Sequence, residues 1–163
     1  MAVDRQLSLE ESTVVDAPPE VVYRLVSDLR NMGRWSPECR SVWVLRPPAR
    51  TGTRFIGFNR RGPFLWPTQG RVTRMLPDRE FVFDIGVLGL PIARWGYRFE
   101  PEGSGTRLTE FWQDLRTDGF GARVAELLGT VFAGSNPARR IALNRAGMRT
   151  TLERIARTAT TGT

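Results

Sequence analysis

The stretch DAPPEVVYRLVSDLRNMGRWSPEC, Asp16–Cys39, decides how the rest of the chain is read. Pro18 and Pro19 suit the first turn of a helix, where a missing N–H leaves no bond unmade. Glu20 complements the positive end of the helix dipole there. Val22, Leu25, Val26 and Leu29 recur at helical spacing and make one apolar face. Asp28 and Asn31 turn the chain into a short second helix over Leu29–Trp35, which Ser36-Pro37 stops. Upstream, QLSLEESTVV alternates as a first strand. Two short helices therefore follow one strand, and almost everything downstream has the period of a sheet.

Six strand-like runs come next: Arg40–Arg46, Thr53–Asn59, Thr68–Leu76, Arg79–Gly86, Ala93–Glu100 and Thr106–Leu115. Pro47-Pro48, Gly62-Pro63, Pro77-Asp78 and the PEGSG run separate them with turn chemistry. Short connectors imply an antiparallel meander. GARVAELLGTVF, Gly121–Phe132, then reads as a helix with Val124, Leu127, Leu128 and Val131 on one face. A long last helix is expected from Asn136, as N-cap, and Pro137 to about Ala159. Its apolar face runs through Ile141, Met148, Leu152 and Ile155, and Asn144 lies one turn from Met148. The class is α+β: a curved antiparallel sheet of about seven strands around a long helix, in one domain spanning residues 1–163.

Composition excludes much chemistry. The chain has no histidine and one cysteine, so Ser-His-Asp and Cys-His machinery, His-ligated metals and thiolate zinc sites are ruled out. Neither a metal nor a cofactor is expected. GSGT at Gly103–Thr106 sits between strand-like runs and reads as a hairpin turn rather than a phosphate loop. The net charge is +7, and all 24 basic residues are arginine. They are scattered, with adjacent pairs only at Arg60-Arg61 and Arg139-Arg140, which argues against a nucleic-acid face. A weaker implication is attraction of an anionic ligand. No apolar run is long enough to span a membrane, the first residues lack a signal-like apolar core, and one cysteine fits a reducing compartment, so a cytoplasmic protein without stable membrane insertion is expected.

The segments Asp16–Cys39, GTRFIGFNRRGP (Gly52–Pro63), DREF (Asp78–Phe81), WGYRFEPEGSGTRLTE (Trp95–Glu110) and NRAGMRTTLERI (Asn144–Ile155) resemble the SRPBCC superfamily, also called START-like or birch-pollen-allergen-like. Within it the chain is most similar to the polyketide cyclase/dehydrase and lipid-transport family. The resemblance spans nearly the whole chain and implies the helix-grip fold, with a cavity between sheet and long helix for a polyketide, lipid or quinone-like molecule. It carries over no universal catalytic set.

Strand alternation assigns the cavity face. It places Phe55, Gly57 and Asn59 inward, then Trp66, Thr68, Gly70 and Val72, then Phe81, Phe83 and Ile85, then Trp95, Tyr97 and Phe99, and finally Thr106, Leu108, Glu110 and Trp112. Gly57 and Gly70 leave space on that face, or only let the sheet bend. The expected ligand contacts are Trp35, Phe55, Asn59, Trp66, Thr68, Phe81, Phe83, Trp95, Trp112, Asn144 and Met148. The candidate acid–base groups are Glu110 with Tyr97 or Asn59, and the PEGSG hairpin sets Glu110 opposite Gly96 or Tyr97. Two readings of Glu110 stand: a buried network pinning sheet to helix, or a polar anchor or general acid–base for a ligand. Cys39 has no histidine or lysine nearby, only Arg34 and Arg40, and reads as a small half-buried residue, and Glu38 as a solvated acid. The apolar connector Gly86–Ile92 is expected to be a loop rather than simple strand, lining the pocket mouth with the Gly121–Phe132 helix, making an oligomer contact such as a homodimer's, or simply tucking in to stabilise the sheet end.

Overall fold

A computed structural model of the chain describes residues 8–116 and 137–161. The elements run β1 (Ser8–Val15), α1 (Pro19–Ser27), a 3-10 turn (Leu29–Asn31), α2 (Met32–Trp35), β2 (Cys39–Val44), β3 (Arg54–Arg61), β4 (Phe64–Leu76), β5 (Glu80–Val87), β6 (Leu90–Glu102), β7 (Gly105–Asp114) and α3 (Pro137–Thr161). The seven strands form one antiparallel sheet in the order β1-β7-β6-β5-β4-β3-β2. This is the helix-grip arrangement: β2 to β7 are a meander, β1 adds to β7, and the short helices carry the chain from one sheet edge to the other.

Local chemistry explains the corner. Pro18 is extended (φ −69°, ψ 155°) and α1 starts at Pro19, with Val22, Tyr23 and Val26 buried. The expected helix Leu29–Trp35 is in fact two pieces. Asp28 Oδ1 accepts a hydrogen bond from the Arg30 N–H at 3.1 Å and closes a separate 3-10 turn before α2 begins. α2 then lies directly on β2: a Cβ on Gly33 would stand 2.3 Å from the Arg40 carbonyl oxygen, so this approach requires glycine.

The connector Gly86–Ile92 is also not a loop. β5 continues to Val87, β6 begins at Leu90, and Leu88 (φ 52°) with Gly89 (φ 78°) makes a two-residue hairpin turn. Positive φ at both turn positions matches the twist of the flanking strands, which is why the strands run through. A register shift at Ile85–Gly86 absorbs the irregularity that glycine and proline introduce.

The main core joins Phe55, Phe81, Phe83 and Phe99 of the sheet to Leu152, Ile155 and Ala159 of α3 and to Tyr23 and Trp35. Edge-to-face ring pairs, Phe55–Phe83 at 5.6 Å and Tyr23–Phe99 at 5.3 Å, fix its packing. A smaller cluster of Leu9, Ala93, Trp112 and Met148 closes the far end. On α3, Met148, Leu152 and Ile155 are buried as the helical spacing predicts, whereas Ile141 is only half-buried. Arg145 Nη1 donates to Glu11 Oε1 at 2.9 Å and Arg149 Nε stands 3.3 Å from Glu11 Oε2, tying α3 to the edge strand β1. Among the described residues no helix is long and apolar enough to cross a membrane.

Candidate functional site

Between the two clusters, sheet and α3 part to leave a cavity of about 670 Å³. That volume falls within the roughly 300–1,000 Å³ of small-molecule sites. Its walls come from the concave face of β2 to β7, from Arg140, Asn144 and Met148 on α3, and from the Leu88 turn. Phe55, Asn59, Trp66, Thr68, Phe83, Trp95, Tyr97, Glu110, Trp112, Asn144 and Met148 all lie on the wall, where alternation and helical spacing place them.

Two residues of the expected contact set do not. Trp35 is 1% exposed and belongs to the core under α2; its carbonyl oxygen accepts from Arg154 Nη1 at 3.3 Å. Phe81 is fully buried against Phe83, 5.7 Å between ring centres. Both belong to the main core with residues of α1 and α3 and do not border the cavity. Gly70 leaves no ligand space either: a Cβ there would stand 2.1 Å from the Phe55 ring, which fills the gap. Gly57 is on the cavity wall. The expected helix Gly121–Phe132 lies outside the described residues.

Glu110 and Tyr97 are directly opposite on β7 and β6, which fixes the hairpin register. The Tyr97 hydroxyl donates to Glu110 Oε1 at 3.1 Å. Both residues are buried, 3% exposed, and Glu110 Oε2 has no hydrogen-bond partner among the described residues. Burial disfavours the carboxylate and pushes the Glu110 pKa up to about 8, against the opposing effect of the Tyr97 hydrogen bond. Burial, and then the neighbouring carboxyl, raise the Tyr97 phenol well above its ordinary value. At neutral pH the site therefore presents a protonated carboxyl and a neutral phenol.

Asn59 is held by donating its Nδ2 to the Trp66 carbonyl oxygen and to Thr68 Oγ1, each at 3.2 Å. Its amide nitrogen thus locks β3 to β4 and is not poised beside Glu110 as an acid–base partner. Cys39 lies on the wall with its thiol raised to about 11 by burial, so it is an unreactive packing group.

A cationic corner was not read from the sequence. Arg61 and Arg140 both reach the wall and both pair with Glu38. Arg140 forks onto that carboxylate, Nη1 to Oε1 at 3.1 Å and Nη2 to Oε2 at 2.6 Å, and lies over the Trp66 ring at 5.8 Å. Glu38 is therefore not a solvated acid; its side chain is 22% exposed and spans two guanidinium groups. Burial first, then neighbouring arginines, lower both Arg61 and Arg140 to about 10. The signals were present. Arg61 continues the inward series Phe55, Gly57, Asn59, and Arg140, Asn144 and Met148 share one helical face. Each adjacent arginine pair in the sequence contributes one member to this corner.

Solved structures with the same architecture bear on what such a cavity belongs to. A polyketide-cyclase-like protein from Corynebacterium glutamicum is 27% identical, with 95% of this chain and 92% of that one covered at a TM-score of 0.61. An aromatase/cyclase from Streptomyces sp. R1128 superposes at 0.66 with 14% identity over 93% and 92% of the two chains. The protein Ara h 8.0201 superposes at 0.61 with 9% identity over 93% and 96%. No curated protein matches the sequence. The family described as polyketide cyclase / dehydrase and lipid transport matches residues 6–160, nearly the whole of the described sheet, cavity and long helix. Fold, cavity and sequence agree, and the chain belongs to this polyketide cyclase/dehydrase and lipid transport family of the SRPBCC superfamily.

Proposed function

We propose that the protein binds one hydrophobic small molecule, a polyketide, lipid or quinone-like compound, inside the cavity. The hydrophobic-ligand-binding character of the fold is common ground for the family; the occupant is our reading. The observation that supports it is an aromatic chamber of about 670 Å³ whose buried Glu110 keeps one oxygen without a partner among the described residues. An unmet buried polar atom costs about 1–3 kcal/mol, so a ligand group that pairs with this oxygen would be favoured. A ligand hydroxyl or carbonyl oxygen reaching Oε2 would accept a hydrogen bond from the carboxyl O–H and satisfy it. The single buried thiol keeps the cytoplasm as the compartment that fits this reading.

Menadione tests it, since a bound quinone quenches tryptophan and Trp66, Trp95 and Trp112 are on the wall. Saturable quenching that disappears in Ile85→Arg, which puts a charge into the apolar wall, is the expected result. Quenching that is linear in menadione, or unaffected by Ile85→Arg, would refute cavity binding.

A second reading is favoured by one observation: the Glu110 pKa, about 8, lies near working pH, where a general acid is most effective. Glu110 would then protonate a substrate carbonyl or a departing hydroxyl of a polyketide-like chain folded by the walls, and Tyr97 would steady the carboxylate left behind. Glu110→Gln keeps shape but transfers no proton. Loss of turnover with binding retained would support catalysis, and loss of binding alone would support an anchor.

A further inference from the structure

The cationic corner is a second polar pole of the cavity. Arg61 and Arg140 share the single carboxylate of Glu38. Arg139 adds to the positive field felt by Arg61. Arg61 Nη1 is buried and has no hydrogen-bond partner among the described residues. A guanidinium N–H in that position is an unfilled donor for an oxyanion, and burial makes leaving it unfilled costly.

The corner is also shaped. Arg140 lies over the Trp66 ring, and its fork already grips a planar carboxylate. Glu38 shows which headgroup the geometry accepts: two parallel N–H donors matched to two carboxylate oxygens. The neutral pole lies elsewhere. Glu110 on β7 and Arg61 on β3 lie four strands apart in the sheet, and Arg61 stands at the far end of its strand. Phe83, Ile85 and Trp95 line the cavity on the strands between. One end of the chamber therefore suits a neutral oxygen, the middle an apolar body, and the other end an anion.

We propose that Arg61 and Arg140 form the headgroup site for a carboxylate on the hydrophobic ligand, so that the protein selects amphipathic acids over neutral compounds of the same length. This rests on the cavity being the ligand site. The ligand carboxylate takes the open Arg61 donor and competes with Glu38 for Arg140, making Glu38 the internal placeholder of an empty site.

Matched probes separate the two claims. Dodecanoate and 1-dodecanol share one chain and differ in headgroup. By isothermal titration, wild type is expected to favour dodecanoate about tenfold, as a charge-assisted hydrogen bond implies. Arg61→Gln should bring that preference close to unity, and raised salt should shrink it. Glu38→Gln removes the competing carboxylate and should enlarge the preference, a gain that misfolding cannot produce. Equal binding of both probes by wild type, or a preference kept in Arg61→Gln, overturns the headgroup site and leaves cavity binding standing. Failure to bind either probe overturns both.

Discussion

Glu110→Gln should flatten the pH dependence of stability, and its size can be worked from the site. The carboxyl has an ordinary pKa of 4.5 when the chain is unfolded and about 8 in the folded protein, raised by burial. A folded-state pKa above the unfolded one means that the native protein holds its proton more tightly. Stability from this group is thus complete below about pH 4.5, falls as pH rises, and is lost by about pH 8. At about 1.36 kcal/mol per pKa unit the full change approaches 5 kcal/mol. That is comparable to the whole stability of a marginal domain. The groups around the carboxyl are Tyr97 on β6, which donates to it, and Glu11, its neighbour on β1, which is occupied by Arg145 and Arg149 of α3. Glutamine keeps the Tyr97 hydrogen bond and does not titrate. Urea unfolding followed by tryptophan fluorescence should show wild type losing several kcal/mol between pH 5 and pH 9 relative to the variant. The variant should be the more stable protein at pH 9. Parallel pH profiles for the two proteins would refute the burial of a protonated carboxyl.

Three other outcomes follow from the packing. Leu152→Ala, at a site 2% exposed where α3 meets the sheet, should cost about 2–5 kcal/mol in chemical unfolding. Gly70→Ala should force the Phe55 ring out of its place beside the glycine, at about 1–3 kcal/mol, lowering the melting temperature by roughly 3–10 °C. Iodoacetamide should alkylate Cys39 in the folded protein about a hundredfold more slowly than in the urea-unfolded chain, because its thiol is raised from 9 to about 11.

The helix-grip architecture was legible because its signals are local and periodic. Pro18-Pro19 starts α1 and Ser36-Pro37 ends α2, and alternation puts Phe55, Phe83, Tyr97 and Glu110 on one face. The PEGSG turn is short enough to bring Glu110 opposite Tyr97. What alternation cannot give is the third dimension of the cavity. It sets Phe81 and Phe83 on the same face, yet only the curvature of the sheet against α3 decides that Phe83 borders space and Phe81 does not. Gly70 likewise reads as a vacancy until the neighbouring strand lays Phe55 across it. The arginine corner was missed for a different reason. Glu38 and Arg140 meet across 102 residues of sequence, a pairing no local pattern encodes. Arginine beside a turn also reads as solvated until a partner is known. The Leu88 turn was hidden because leucine is an unfavourable residue for its positive φ.

The central claim is that the cavity holds a hydrophobic molecule. Native mass spectrometry of the protein purified from its own host tests that most directly. The expected spectrum carries one adduct of small-molecule mass at unit stoichiometry, displaced by excess dodecanoate and weakened by Arg61→Gln. A spectrum of the bare chain alone, from protein that also leaves menadione and dodecanoate unbound, would contradict it.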